Sequence, residues 1–310
     1  MACTVTILVA AYNSARYLEE LLRSLLAQTH KDLDIVIRDD GSEDSTKDII
    51  DNFCDSDHRI RSLDVNSDIP GTKDNFFKLL LSTDSEYTMF CDSDDVWKPE
   101  KTEKTLALMR KTENSISKET PILVHTDLTV VDETLKEISP SFFRYEKLSP
   151  HRNSFKQLLV QNNVTGCTVM INRALKNKVF ETPENAVMHD WWFALTAAAF
   201  GRIEVLYEST ILYRQHQSNQ IGASDAGDLS AMMRKIKNTE LMRKTYDSMY
   251  AQAACFAEAF KNEIDEDLYT LARQYSEMAY LSKPGKIFRI FRRGFYKNSL
   301  SRNLGQFLVV

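Results

Sequence analysis

Apolar and polar positions along the first hundred residues alternate between two periods. Thr4–Ala11 is a continuous apolar, partly β-branched run and predicts a buried strand. Asn13 or Ser14 can cap a following helix whose apolar face is Tyr17, Leu18, Leu21, Leu22, Leu25 and Leu26, a helical spacing. Asp34–Arg38 holds a second short strand, Ile35-Val36-Ile37, and Asp44 or Ser45 opens a helix through Ile49, Ile50 and Phe53. A third helix is predicted over Asn75–Leu81, and Tyr87–Cys91 is a strand that runs into an acidic cluster. This alternation predicts an α/β fold, a mostly parallel sheet with helices on both faces.

The middle third is less regular. Ile122–Val131 and Thr168–Ile171 read as strands, Asp190–Phe200 as a buried helix, and Arg202–Leu206 and Thr210–Tyr213 as two short strands. After Gly222 the pattern changes: residues 228–282 are helix-rich and lack proline, and Pro284-Gly285 breaks the chain before its last segment. These shifts divide the chain into a first domain over 1–222 and a helical C-terminal region over 223–310.

Composition narrows the class. The chain has 310 residues, 43% hydrophobic and 27% charged, enough for a sizeable core. Cysteines at 3, 54, 91, 167 and 255 are odd in number and show no CxxC spacing. Neither a disulfide framework nor a zinc site is suggested, and a reducing compartment fits. The opening apolar run is too short for a signal peptide. No apolar stretch reaches the roughly 18 residues of a membrane-spanning helix. A net charge of −5 argues against general nucleic-acid binding. That average hides an asymmetry, because Lys283–Val310 carries seven Lys/Arg and no Asp/Glu, which leaves −12 for the rest. With Ile287, Phe288, Ile290, Phe291, Phe295 and Tyr296 interspersed, residues 283–310 read as a basic amphipathic tail. Such a tail lies on a membrane surface or packs on the body of the protein.

Four constellations can carry chemistry. Arg38-Asp39-Asp40-Gly41-Ser42 follows the second strand, where open α/β sheets bind ligands. A carboxylate there accepts from the ring N–H of uracil or thymine, or else it caps the next helix. Cys91-Asp92-Ser93-Asp94-Asp95-Val96-Trp97 puts three carboxylates in four residues after an apolar strand. They repel one another unless a cation sits among them, and dense oxygen ligands suit Mg²⁺ or Mn²⁺. His189-Asp190-Trp191-Trp192 places Asp190 where a helix begins. That is an N-cap position, and one that favours a carboxylate able to take a proton. In Tyr213-Arg214-Gln215-His216, Arg214 could pair with a phosphate and His216 could ligate a metal or be structural.

Taken in order, Ala11-Tyr12-Asn13, Asp39-Asp40-Gly41-Ser42, Asp92-Ser93-Asp94-Asp95 and His189-Asp190 resemble the inverting family 2 glycosyltransferases of the GT-A fold. The resemblance covers roughly residues 3–222. Asp-x-Asp-Asp-Val-Trp with the later His-Asp-Trp-Trp and Tyr-Arg-x-His looks like bacterial rhamnosyltransferase-type members, which build cell-wall or capsular polysaccharide. The resemblance implies a nucleotide-binding part over about 1–100 and an acceptor-binding part over about 101–222. It implies that Ala11, Tyr12, Asn13, Asp39, Asp40, Asp92, Ser93 and Arg214 bind the donor nucleotide. Asp94, Asp92 and His216 would hold Mg²⁺ or Mn²⁺, with Asp94 the foremost ligand. Asp190 would be the catalytic base, and Gly166, Cys167, His189, Trp191 and Trp192 would line the acceptor and sugar pocket.

The implied partners are a nucleotide-sugar donor, first of all dTDP-L-rhamnose, and a saccharide acceptor, lipid-linked by analogy. A cytoplasmic place at the inner face of the cell membrane follows, and a homodimer stays open. UDP-hexose and UDP-N-acetylhexosamine donors, or a non-catalytic sugar-nucleotide-binding subunit, are the alternatives. The chain lacks the Gln-x-x-Arg-Trp motif of processive polymerases, which favours one transfer per encounter. A phosphate-accepting receiver domain around Asp39-Asp40 would leave the later motifs unexplained.

Overall fold

The computed structural model describes residues 4–64, 71–179, 181–216 and 239–310. They form two compact units interleaved in sequence. The first takes in the chain up to Ser141, then Val164–Thr182 and the stretch that starts at Gly201. The second takes in Phe142–Asn163, Pro183–Phe200 and the C-terminal helices. The expected boundary after Gly222 lies outside the described residues. Two segments expected in the first domain, 142–163 and 183–200, cluster with the helical unit instead.

The first unit is built on one sheet. Its strands are β1 (Val5–Ala11), β2 (Leu33–Asp39), β3 (Ile60–Ser62), β4 (Tyr87–Asp92), β5 (Val96–Trp97), β6 (Ile122–Val131), β7 (Glu137–Ser139), β8 (Met170–Asn172) and β9 (Arg202–Arg214). They lie in the order β3-β2-β1-β4-β8-β6-β9-β5, with β7 on β6. The block β3-β2-β1-β4 and the pair β6-β9 are parallel, and β8 and β5 join antiparallel. Strands flanked on both sides need two apolar faces, and β6 is buried along its whole length.

The helices are α1 (Leu18–Leu26), α2 (Thr46–Ser56), α3 (Thr72–Leu81) and α4 (Lys101–Ser115). Leu18, Leu21, Leu22 and Leu25 of α1 are buried, as their spacing predicts. From β1 the chain steps outward through α1 and α2 to β3, then returns through α3 to β4 on the other side of β1. Right-handed crossovers then put α1 and α2 on one face and α3 on the other. The reversal makes the gap between β1 and β4 a topological switch point, where open α/β sheets bind ligands at the carboxyl ends.

Two local expectations change. Arg202–Leu206 and Thr210–Tyr213 are one strand, because pairing with β6 jumps from Thr126↔Leu206 to Asp127↔Ser209 and bulges out the intervening residues. Tyr207 in that bulge is 60% exposed, which explains the gap in the apolar pattern. Gly166–Thr168 is a 3₁₀ turn, and the strand starts at Met170.

The second unit is helical: α5 (Phe142–Tyr145), α6 (Phe155–Val160), α7 (His189–Phe200), α8 (Thr239–Ala259), α9 (Glu266–Ser276), α10 (Lys283–Arg293) and α11 (Leu300–Val309). Its core packs Phe155 at a tilt and Trp192 edge-on against Phe256, and Phe200 at a tilt against Phe260. The basic tail is two helices rather than one. Gly294, at φ +70, ends α10 in the left-handed conformation that glycine adopts without strain. Ile290 and Phe295 are fully buried, Phe295 edge-on to Tyr275. The tail therefore packs within this unit by one face. Among the described residues no helix is long and apolar enough to cross a membrane.

Each unit buries one histidine, and burial pushes His125 down to about 4 and His189 to about 3. On unfolding, both regain their ordinary value of 6.5 and take up protons as pH falls through it. The unfolded chain then binds more protons than the folded one. Stability is expected to fall between pH 6.5 and 4, by up to about 1.4 kcal/mol per pH unit for each histidine. Chemical denaturation at pH 7, 6 and 5 checks this, and equal midpoints at all three would contradict it.

Candidate active site

Strand register brings three motifs to one level. Ala11 at the end of β1 lies beside Asp39 of β2, and Ala10 beside Asp92 of β4. The loop after β1 and the loop after β2 are then laced together. Asn13, at φ +46, donates its N–H to Ser42 Oγ at 2.7 Å and accepts from Glu43 N at 2.8 Å. Asp39 accepts from both the N–H and the hydroxyl of Ser42 across a turn that Gly41 permits at φ +86. Tyr12 stands 58% exposed at the edge of this floor.

Asp40 does something other than expected. Its carboxylate is buried, ion-paired to Arg38 at 2.8 Å, and accepts from Gly71 N at 2.7 Å. It ties β2 to the start of α3 and does not face a base. Asp39, by contrast, is held by Ser42 at the mouth of the turn.

The acidic loop spans β4 and β5 and is fixed at both ends. β5 pairs with β9, Val96 against Leu212 and Trp97 against Ile211. This brings the residues after β9 onto the loop. His216 Nε2 lies 2.9 Å from Asp94 Oδ2, and its ring stacks on Tyr17 at 5.1 Å. Ser93 shares a hydrogen bond with Ser14 at 2.6 Å, joining the loop to the end of β1. Arg214 departs from its expected role. Its guanidinium donates to the carbonyls of Asp94 and Glu133 and to the carboxylate of Glu20, and lies over the Tyr17 ring at 4.5 Å. With 3% exposure it braces the loop instead of offering itself to a phosphate.

Beneath the loop, Asp95 is fully buried. Burial first, and the Asp94 and Asp92 charges after it, raise its carboxyl well above the usual range. Lys101 lies behind it, fully buried over Trp97 at 4.4 Å, its ammonium pushed down to about 8 by burial. Gly166 and Cys167 sit in the 3₁₀ turn, both buried. Cys167 Sγ falls within 4.8 Å of Asp92 and Asp95 oxygens. Burial pushes that thiol well up. Cys167 supports the acidic loop from inside rather than lining an open acceptor pocket.

Among the described residues, the ligand-type atoms that converge within 4.8 Å are those of Asp92, Asp95 and Cys167, while Asp94 pairs with His216 at 2.9 Å on the same loop. Carboxylate oxygens and an imidazole are donors that suit a divalent cation.

The His-Asp-Trp-Trp motif lies in the second unit, at the first turn of α7. Asp190 Oδ1 accepts from Asn162 Nδ2 at 3.2 Å, which orients the half-buried carboxylate. Trp191 is half-buried and donates to the Leu158 carbonyl at 2.6 Å. His189 and Trp192 are each 2% exposed, His189 edge-on to Phe193 and Trp192 against Phe256 and Phe260. These two are core residues and not pocket walls, because positions three apart on a helix share one face, here the buried one.

Sequence reasoning missed Ser14, Tyr17, Glu20, Ser42 as the partner of Asp39, and Lys101. Ser14 meets Ser93 across 79 positions and Glu20 meets Arg214 across 194, and the chain order carries no signal of such contacts.

The sheet, with its acidic loop at the switch point, has the GT-A arrangement. Residues 6–181 match the family model for glycosyl transferase family 2, and the chain belongs to that family. A putative teichuronic acid biosynthesis glycosyltransferase, TuaG of Bacillus subtilis, is 28% identical over 85% of this chain and 97% of its own. The dTDP-rhamnosyl transferase RfbG of Shigella flexneri is 28% identical over 70% of this chain and 74% of its own. Solved structures share the fold. S. aureus TarS in complex with UDP-GlcNAc superposes with a TM-score of 0.56 at 17% identity, over 93% of this chain and 73% of that one. The mannosyltransferase PcManGT of Pyrobaculum calidifontis, in complex with GDP-Man and Mn2+, gives 0.54 at 16%, over 98% and 83%.

Proposed function

We propose that this family 2 glycosyltransferase moves a sugar, with inversion, from a nucleoside diphosphate donor to a saccharide acceptor in the synthesis of a cell-wall or capsular polysaccharide. The observation that carries this is the pairing of Asp94 with His216, beside Asp92, at the switch point of the sheet. The biosynthetic setting is supported by the TuaG relative. L-Rhamnose from dTDP-rhamnose is the first donor, supported by the RfbG relative. A UDP-linked N-acetylhexosamine is second, in line with the ligand of TarS.

In this proposal Asp39, held by Ser42, accepts from the ring N–H of the base, and Tyr12 offers its exposed face to that ring. Asp94, Asp92 and His216 hold Mg²⁺ or Mn²⁺, a choice in line with the Mn2+ of PcManGT. When bound, such a cation neutralises the charge that grows on the leaving diphosphate. Arg214, Glu20 and Tyr17 keep the loop in place. Asp190, oriented by Asn162, takes the proton of the acceptor hydroxyl as it attacks the anomeric carbon. A single displacement inverts the configuration.

A nucleotide-release screen over dTDP- and UDP-sugars with Mg²⁺ or Mn²⁺ tests the reading. Fastest release from dTDP-rhamnose is expected. Faster release from a UDP-sugar replaces the donor, and no release from any of them leaves only a binding subunit.

The tail supports a place at the inner face of the cell membrane and a lipid-linked acceptor. On α11, Leu300, Leu304 and Leu308 recur at helical spacing and are 85%, 60% and 59% exposed. They stand in a segment with seven basic and no acidic residues. The occupant proposed is an anionic bilayer, which attracts such a segment by about 1 kcal/mol per basic residue near the surface. Removing the tail at Ser282 would also strip the buried Ile290 and Phe295 from the core, so point variants are the sounder test. Replacing the three leucines by serine is expected to abolish co-sedimentation with phosphatidylglycerol vesicles while the fold survives. Undiminished co-sedimentation would contradict the membrane role.

A further inference from the structure

The second unit holds a groove of about 580 Å³ between α9 and α10. It is lined by Arg273 of α9 and by Arg289, Arg292 and Arg293 of α10, with Tyr269 and Phe288 at its walls. The spacing of 289, 292 and 293 puts the last three guanidinium groups on one helix face. A single carboxylate, Glu277, lines the groove with them. It is taken by Arg289, whose Nη1 lies 2.9 Å from Glu277 Oε2 and also donates to the Gln274 carbonyl at 2.9 Å. Arg289 is thereby fixed and neutralised. Among the described residues, Arg273, Arg292 and Arg293 have no ion-pair partner. Gly285 also lines the groove, so the backbone of α10 itself is accessible there.

Three guanidinium groups without an ion-pair partner, all solvent-exposed, stand together in one concavity and offer their donors to an anion. Guanidinium forks match phosphate oxygens, and more than one fork suits a group with several of them. The flanking Tyr269 and the 64% exposed Phe288 offer apolar surface beside the charge.

We infer that this groove is a binding site for a diphosphate group, separate from the acidic loop of the first unit. The inference deepens the proposed function and rests on it only for the ligand's setting. A diphosphate esterified to a lipid, a phospholipid headgroup and a soluble diphosphate share the recognising chemistry. Arg273, Arg292 and Arg293 bind the phosphate oxygens, and Glu277 holds Arg289 in place as the fixed wall.

The test uses the full chain, wild type against Arg273→Gln/Arg292→Gln/Arg293→Gln. A charge-matched control, Lys31→Gln/Lys111→Gln/Lys136→Gln, changes exposed lysines of the first unit. Calorimetric titration with inorganic pyrophosphate is run without divalent metal, which keeps the acidic loop from contributing. The arginine variant is expected to bind about tenfold more weakly or worse, and the lysine control like wild type. Sedimentation with phosphatidylcholine vesicles containing either a polyprenyl diphosphate or phosphatidylglycerol separates the sources. Loss on the first vesicles alone points to a lipid diphosphate, loss on both to headgroups in general, and loss with pyrophosphate alone to a soluble ligand. Equal behaviour of the two variants on all probes overturns the site, since diffuse charge would then explain any binding. Nucleotide release with Mn²⁺ is measured on the same three proteins. It is expected to be unchanged in the arginine variant, so failure of the groove leaves the transferase reading standing, and absent release in wild type removes that reading alone.

Discussion

Asp190→Asn is expected to lower turnover by about 10²–10⁴-fold, the usual worth of a general base and about 3–5 kcal/mol of barrier. The amide keeps the size of the side chain and its place in the first turn of α7, but it cannot take the acceptor's proton. Asn162, which orients the carboxylate through Oδ1, is expected to matter less, because its loss misaligns the base without removing it. Donor binding should survive in Asp190→Asn, since the contacts that shape the Asp39 turn and the Asp94 loop are all made within the first unit. Initial rates with saturating donor and acceptor, set beside a donor titration, check both halves. Near-normal turnover would remove Asp190 from the base role, and lost donor affinity with normal turnover would make it a structural residue.

The second large effect concerns the cation. Excess chelator, or Asp94→Asn, is expected to lower activity by about a thousandfold or more, because several kcal/mol of charge stabilisation on the leaving diphosphate disappear. Asp94→Asn leaves the backbone contact with Arg214 in place, which runs through the Asp94 carbonyl, so the loop should keep its shape. Manganese binding followed by electron paramagnetic resonance separates loss of metal from loss of fold. His216→Ala should weaken that binding as well, since its ring touches the Asp94 carboxylate at 2.9 Å. Full activity in chelator would exclude the metal role of Asp92, Asp94 and His216 together.

Much of the candidate site is visible in chain order, and particular residues show where that ends. Ala11, Asp39 and Asp92 each close an apolar strand, and three such strands in parallel must deliver their ends to one level. The motifs fall on neighbouring loops for that reason. Within the loops, residue type alone misleads. Asp39 and Asp40 are identical in chemistry, yet one holds the Ser42 turn and the other pairs with Arg38 inside the body. Arg214 carries the charge that suits a phosphate, but Glu20 and two carbonyls take up its donors. His189 and Trp192 look like pocket residues beside Asp190 and are instead core.

The sequence by itself determined the alternation of strand and helix, the placement of acidic turns at strand ends, and the charge asymmetry of the tail. These are local properties, set by side-chain periodicity and composition over a dozen residues or so. Only the tertiary structure decided that Asp40 pairs inward with Arg38 and that His216 meets Asp94 across 122 positions. It also decided that segments 142–163 and 183–200 join the C-terminal helices, and that the tail buries one face while four arginines gather in a groove. Burial and partnership depend on contacts far apart in the chain, so a turn that looks like a site by its residues becomes one only when the fold leaves its polar groups without better partners.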